Sequence, residues 1–203
     1  METLRDGAIA DPDKAARFLD IMSKQADRLN AIIDDLLLLS RMEDEKRRLE
    51  VPFDDTRISD VLSASVALCE PKAARANVTV EVTCPADLTA RLNPLLMEQA
   101  VANLIDNAVK YSSPGGSVNV EAREDNSDLL ISVADHGCGI AAEHLPRIFE
   151  RFYRVDKARS RALGGTGLGL SIVKHITQAH RGSVTVESAE GFGSTFTIRI
   201  PRA

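Results

Sequence analysis

The sequence predicts an α+β architecture, a mixed β-sheet covered by helices on one face and preceded by a long helical rod. Three observations carry that reading. Apolar residues recur at helical spacing, with nothing to break the helix, from Pro12 to Met42. From Val51 onward the pattern changes to short stretches of period-two alternation, interleaved with amphipathic segments. Several of these stretches are joined by short turns such as "DNSD" and "EGFG", so neighbouring strands pair as hairpins rather than only through long crossovers. The chain accordingly divides into a helical segment, 1–47, and an α+β domain, 48–203.

In the rod, Asp11 can cap a helix whose first turn holds Pro12. Met22, Gln25, Leu29, Ile32, Leu36 and Leu39 follow a 3-4-3-4-3 spacing, the seam of a coiled coil. Ile33, Leu37 and Leu38 widen the stripe beyond a two-stranded seam and point to a bundle of more than two helices. At about 1.5 Å per residue the rod would reach roughly 45 Å. Met1 to Ala10 reads as the tail of an earlier antiparallel helix.

After the charged exit "EDEKRRLE", "VPFDD" reads as a short strand. Arg57 to about Arg75 is an amphipathic helix with Ile58, Val61, Leu62, Val66 and Leu68 on its apolar side, which Pro71 kinks or ends early. "NVTVEVTC" and "LTARL" are strands, and Pro94 opens a helix that runs to about Tyr111. The turn Pro114-Gly115-Gly116 leads into the hairpin strands "GSVNVEARE" and "DLLISVADHG". A helix over Thr166 to Ala179 and the strands "GSVTVESA" and "GSTFTIRIP" complete the chain.

Composition limits the function. The 203 residues are 44% hydrophobic and 27% charged, an ordinary globular balance that fits one domain with an appendage. A net charge of -5 and the absence of Trp argue against nucleic-acid binding. No apolar run is long enough to span a bilayer, the longest being Leu36 to Leu39, and Met1 is not followed by a signal-peptide pattern. Cys69, Cys84 and Cys138 are odd in number and lack CxxC spacing, which suits buried thiols in a reducing compartment better than a disulfide framework or a zinc site.

Four stretches carry candidate chemistry. In "NLIDNAVKY", Asn103 and Asn107 stand four apart on one helix face with Lys110 three further on. Paired amides and a lysine suit a hydrated Mg²⁺ on a polyphosphate; the plainer alternative is two exposed or capping asparagines. In "DHGCGI", Asp135 ends a strand and is followed by Gly137 and Gly139, either a sharp turn beside a ligand or an ordinary turn. In "IFERFYR", Phe149 and Phe152 read as core, while Arg151 and Arg154 could face phosphate. "ALGGTGLGL" matches neither of two familiar phosphate cradles. The basic stretch before it is not a strand, Leu170 stands where a dinucleotide fingerprint needs glycine, and no Gly-Lys-Ser/Thr follows. What remains is a glycine hinge before a helix N-terminus, a place that favours an anion, or else a surface loop.

Taken in order, "NLIDNAVKY", "DHGCGI", "IFERFYR", "GGTGLGL" and "GFGSTF" resemble the N, G1, F, G2 and G3 boxes of sensor histidine kinases. "ADRLNAIIDDLLLLSRMED" resembles the second helix of that family's dimerisation and phosphotransfer domain, and the wording leans toward the phosphate-regulon sensors. The resemblance implies the two-layer α/β sandwich of the histidine-kinase and gyrase type. It implies that Asp135 accepts the adenine amino group, that Ile140 and Tyr111 line the adenine slot, and that Thr195 helps close it. Asn107 would hold Mg²⁺ with Asn103 beside it. Asn103, Lys110 and Arg154 would serve the reaction, with Arg151 and the lid residues Lys157, Arg159 and Arg161 as further cations. Gly137, Gly139, Gly165, Thr166, Gly167, Leu168 and Gly169 would shape the nucleotide's surroundings and let the lid fold.

The family transfers the γ-phosphate of Mg-ATP to a histidine on the first bundle helix, for relay to a response regulator. It works as a homodimer through the helical segment. Here the histidines are His136, His144, His175 and His180, all in the nucleotide-binding half. "HLPR" at His144 has no acidic residue after the histidine and its proline comes too soon. The expectation is a fragment that binds ATP without phosphorylating itself, the cytoplasmic portion of an inner-membrane sensor held in the membrane only through further N-terminal regions. A related ATPase would place a glutamate four residues before the Mg²⁺ asparagine, where Asn103 stands. The rod counts against a serine kinase resembling anti-sigma factors. A nucleotide-sensing dimerisation module without kinase activity is the non-enzymatic alternative.

Overall fold

A computed structural model of the chain describes residues 12–43, 52–155 and 165–201. The expectations for Met1 to Ala10, for the boundary between residues 47 and 48, and for Lys157, Arg159 and Arg161 fall outside them. Helix α1 (Pro12–Glu43) is the rod. It is followed by β1 (Asp54–Arg57), α2 (Ile58–Ala76), β2 (Thr79–Thr83), β3 (Thr89–Leu92), α3 (Pro94–Tyr111), β4 (Ser117–Asp125), β5 (Asp128–Asp135), α4 (Gly169–Ala179), β6 (Ser183–Ala189) and β7 (Gly193–Pro201).

The strands form two sheets, not the single sheet expected. Five of them run in the order β2-β4-β5-β7-β6, parallel at β2–β4 and antiparallel elsewhere. β1 and β3 pair apart as an antiparallel ribbon whose strands lead into the N-termini of α2 and α3, with the Ile58 N–H donating to the Leu88 carbonyl at 3.0 Å. Period-two patterning explains the two layers. Val118, Val120 and Ala122 of β4 are buried while Asn119, Glu121 and Arg123 between them are not, so one face of the sheet meets helices and the other meets solvent.

Helix α3 is the centre of the helix layer. Asn93 caps it through an Oδ1 that accepts the Leu96 N–H at 2.9 Å, and Pro94 occupies its first turn, where no N–H is needed. Met97, Ala100, Val101, Leu104, Ile105, Ala108 and Val109 form its buried stripe, and each large side chain removed from water there contributes about 1.5–3 kcal/mol. Pro71 does not end α2 early: the helix runs five residues past it to an Asn77 cap in the left-handed conformation. Leu68, expected on the apolar side of α2, is 64% exposed.

The rod does not behave as one uniform seam. Leu39 and Met42 are buried, and Ile32 and Leu38 pack against the core of the α+β domain. Met22, Leu29, Ile33, Leu36 and Leu37 stay exposed on other sides of the helix. The expected seam is therefore split: Ile32 and Leu39 face the domain, while Met22, Leu29 and Leu36 remain exposed with Ile33 and Leu37.

Candidate functional site

One cleft of about 530 Å³ opens between α3, the end of β5, the segment 138–155 and the start of α4, with α1 at its mouth. The sheet register brings Asp135 to it. Leu129, Ile131 and Val133 alternate toward the helices, and the same parity turns the Asp135 side chain inward, where it is buried. Its Oδ1 accepts the Gly137 N–H at 2.8 Å. Burial pushes the carboxyl above its ordinary range, against the N–H groups of Gly137 and Ser194, which favour the ionised form.

The two glycines after Asp135 are required by close approach. A Cβ on Gly137 would stand 2.2 Å from the Tyr111 carbonyl oxygen, and one on Gly139 would stand 2.0 Å from that of Ala189. Gly139 also has φ +66°, a conformation L side chains rarely adopt. The loop is pinned to the β6–β7 hairpin. The Ile140 N–H donates to Ser188 Oγ at 2.8 Å, and the Gly191 N–H to the Cys138 carbonyl at 2.8 Å.

The polar face of α3 supplies the far side. Asn103, Asp106, Asn107 and Lys110 all line the cleft, because 3.6 residues per turn place them together opposite the buried stripe. Asn103 Nδ2 is buried and has no hydrogen-bond partner, and its Oδ1 faces the start of α4 beside Gly169. A buried orphan donor of this kind costs about 1–3 kcal/mol and marks a place for an acceptor. Lys110 is held below its ordinary pKa first by burial; Asp106 opposes that effect, while Lys72, Arg154 and Arg28 add to it. Asp106 bonds Lys72 at 2.5 Å and lies 3.9 Å from Lys110.

The glycine stretch meets this face. Gly165, Thr166, Gly167 and Gly169 line the cleft, and Thr166 Oγ1 accepts the Leu168 N–H at 3.2 Å just ahead of α4. The helix begins at Gly169, three residues later than expected, because Gly167 has φ +79°, outside the right-handed helical region; Leu168 after it is fully buried in the core. Arg154 also lines the cleft, and its guanidinium bonds the Gly165 carbonyl oxygen. Gly167 accepts the Phe152 N–H at 2.8 Å, tying the hinge to the aromatic segment.

Most of the expected residues thus converge: Asn103, Asn107, Lys110, Tyr111, Asp135, Gly139, Ile140, Arg154, Gly165, Thr166, Gly167 and Gly169. Four, Gly137, Leu168, Thr195 and Arg151, do not line the cleft. Gly137 stands behind its wall against Tyr111, and Leu168 is a core anchor. Thr195 pairs with Ala134 and so takes the opposite strand parity, lining a shallow depression on the other face; Ser194 and Phe196 occupy the cleft in its place. In "IFERFYR", Phe149 packs edge-on to Phe196 at 6.4 Å, but Phe152, expected in the core, is 58% exposed with φ +61°. Arg151 is exposed, its Nη2 3.5 Å from His175 Nε2. His144 belongs to the cleft wall, its Nδ1 2.8 Å from the Tyr153 hydroxyl. Sequence reasoning missed Ala31 and Asp35, which bring α1 to the cleft. The signal available was their place beside Ile32 and Leu39 on one helical face.

Two family descriptions match the chain: "Histidine kinase-, DNA gyrase B-, and HSP90-like ATPase" over residues 92–203, and "His Kinase A (phospho-acceptor) domain" over residues 1–45. Among curated relatives, the sensor-like histidine kinase SenX3 of Mycolicibacterium smegmatis is 38% identical across 99% of this chain and 53% of its own length. The sensor histidine kinase WalK of Bacillus subtilis is 36% identical across 99% of this chain and 33% of its own length. The chain therefore spans about half of the first relative and a third of the second. Among solved structures, full-length ShkA in complex with AMPPNP superposes with a TM-score of 0.80 at 27% identity, covering 93% of this chain and 39% of that one.

Proposed function

We propose that this chain, which belongs to the histidine kinase-, DNA gyrase B- and HSP90-like ATPase family and within it to the sensor histidine kinases, binds Mg-ATP in the cleft and transfers its γ-phosphate to a histidine on a dimerisation helix. The observation that carries the reading is the pairing of two unlike sets of groups in one cleft. A buried carboxylate, Asp135, lines it together with an orphaned amide, a lysine and an arginine, Asn103, Lys110 and Arg154. An adenine amino group suits the first and a polyphosphate the second.

Asp135 would accept the adenine amino group through the oxygen not engaged by Gly137, and Ile140 and Tyr111 would flank the ring. Asn107 would hold Mg²⁺ through its amide oxygen, the kind of hard ligand the ion takes; the ion would neutralise phosphate charge. Asn103 would donate its free Nδ2–H to phosphate rather than ligate the metal. Lys110 and Arg154 would neutralise charge as it shifts toward the leaving oxygens, so the residues mainly position and stabilise. A neutral amide at position 103 leaves no carboxylate there to activate water, which favours transfer over hydrolysis.

In the longer protein the phosphoryl group would pass on to a response regulator. The exposed stripe of Met22, Leu29, Ile33, Leu36 and Leu37 would join a homodimer bundle. Division into a helical segment, 1–47, and a catalytic domain, 48–203, follows the same reading. No helix among the described residues is long and apolar enough to cross a membrane, so anchoring in an inner membrane would fall to other regions of the protein.

The test is transfer in trans. Mixed with a separate helical hairpin bearing the acceptor histidine, the chain should move labelled γ-phosphate to an acid-labile, base-stable product, and Asp135→Asn should need far more ATP to do so. Tight ATP binding with no transfer would replace the kinase reading with that of a nucleotide-binding dimerisation module.

A further inference from the structure

Arg28 lies on the one stripe of α1 that faces the catalytic domain. Arg28, Ile32, Asp35 and Leu39 follow at spacings of four, three and four, so they share a helical face. Ile32 and Leu39 anchor that face on the domain, and this fixes where Arg28 stands. Its Nη2 donates to the Gly165 carbonyl oxygen at 3.1 Å, the same oxygen that Arg154 bonds. Two guanidiniums therefore share one neutral acceptor at the hinge of the glycine stretch.

The surroundings carry more positive than negative charge. Lys72, Lys110 and Arg154 line the cleft with the carboxylates of Asp35 and Asp106, and Arg28 stands just behind them, bonded to the cleft-lining Gly165 and close enough to act on Lys110. Four cations against two carboxylates leave an excess of two positive charges, the complement of a magnesium-bound triphosphate. Mutual repulsion already reaches Lys110, whose charged form both Arg28 and Arg154 disfavour. A shared carbonyl satisfies little of a guanidinium that carries five donors, whereas phosphate oxygens can accept two of them from each arginine.

We propose that Arg28 is a phosphate-binding residue contributed to the nucleotide cleft by the rod helix, exchanging its shared Gly165 carbonyl for an oxygen of the bound triphosphate. The inference rests on the ATP reading and adds to it a ligand contact from outside the catalytic domain. Its consequence is linkage. Nucleotide and rod hold each other in place, so seating of α1 on the domain raises ATP affinity by the same factor by which ATP favours that seating. Asp35, whose Oδ2 accepts the Thr166 hydroxyl at 3.5 Å, stands where it opposes the same anion.

The test compares adenosine, ADP and ATP, each with Mg²⁺, by calorimetry on the full chain and on Arg28→Met and Arg28→Lys. Arg28→Met should weaken ATP about tenfold, as loss of one charge-assisted hydrogen bond does. It should weaken ADP less and leave adenosine unchanged, and Arg28→Lys should recover part of the loss. Arg28→Gln repeats the comparison if the methionine loosens the helix. Undiminished ATP affinity in the methionine or glutamine variant overturns the proposal. Equal losses for adenosine and ATP overturn it too, and would leave Arg28 a residue that only seats the helix. Wild-type chain that binds adenosine and ATP alike, or neither, overturns the nucleotide-triphosphate reading itself.

Discussion

Replacing Gly139 with alanine tests the cleft wall at its tightest point. The new Cβ would stand 2.0 Å from the Ala189 carbonyl oxygen, 2.7 Å from its carbon and 3.1 Å from the Glu190 Cα, all backbone atoms that cannot rotate away. Restoring an ordinary separation requires the loop to retreat by more than about 1 Å. That movement pulls on the two bonds that seat the loop, Ile140 N–H to Ser188 Oγ and Gly191 N–H to Cys138 O, each 2.8 Å and each worth about 1 kcal/mol. Holding alanine at φ +66° adds about 1–2 kcal/mol. The expected cost is therefore about 2–4 kcal/mol of stability, read from urea unfolding. Because Asp135 and Ile140 flank the displaced segment, ATP affinity should fall by about 10–100-fold, as it does when a binding group is misplaced by an ångström. Gly115→Ala is the control. Its φ is +84°, but a Cβ there meets nothing within 4 Å, so only the backbone strain should appear and binding should be unaffected. Equal small losses in both variants, with ATP affinity unchanged in Gly139→Ala, would refute the close-approach argument.

Two further outcomes are expected. Asn107→Ala should bind ATP equally with and without Mg²⁺ while wild type gains affinity from the ion, and a wild type indifferent to Mg²⁺ in calorimetry would refute that role. His180 offers a pH test of the fold. Its Nε2 accepts the Asn93 N–H at 3.0 Å, so its proton sits on Nδ1, which donates to the Ile176 carbonyl at 2.8 Å, and burial holds its pKa below 6.5. The unfolded chain then takes up a proton first as pH falls below 6.5, so the stability present above that value is lost as pH drops through the folded pKa. His180→Gln should show less loss of urea midpoint between pH 7.5 and 5.5 than wild type; an identical slope in the two proteins would refute the assignment.

The chemistry of the cleft was legible along the chain because it is carried by short-range spacing. Asn103, Asn107 and Lys110 reach one cleft through helical periodicity alone, and Asp135 with Gly137 and Gly139 announces a strand end that turns sharply. The order of five such stretches then named the family. The parity of Thr195 was not legible. Which of Ser194 and Thr195 faces the cleft depends on pairing Asp135 with Ser194 across the sheet, and a shift of one residue reverses every side chain.

The sequence by itself determined the elements, the glycines the turns demand and the residue types that line the cleft, since all of these follow from local sterics and periodicity. Only the tertiary structure decided which side of the rod is used, because α1 is apolar around more than one face and periodicity cannot choose between them. Packing of Ile32, Leu38 and Leu39 on the domain makes the choice, and it carries Arg28 and Asp35 to Gly165 and Thr166, more than a hundred residues away in sequence.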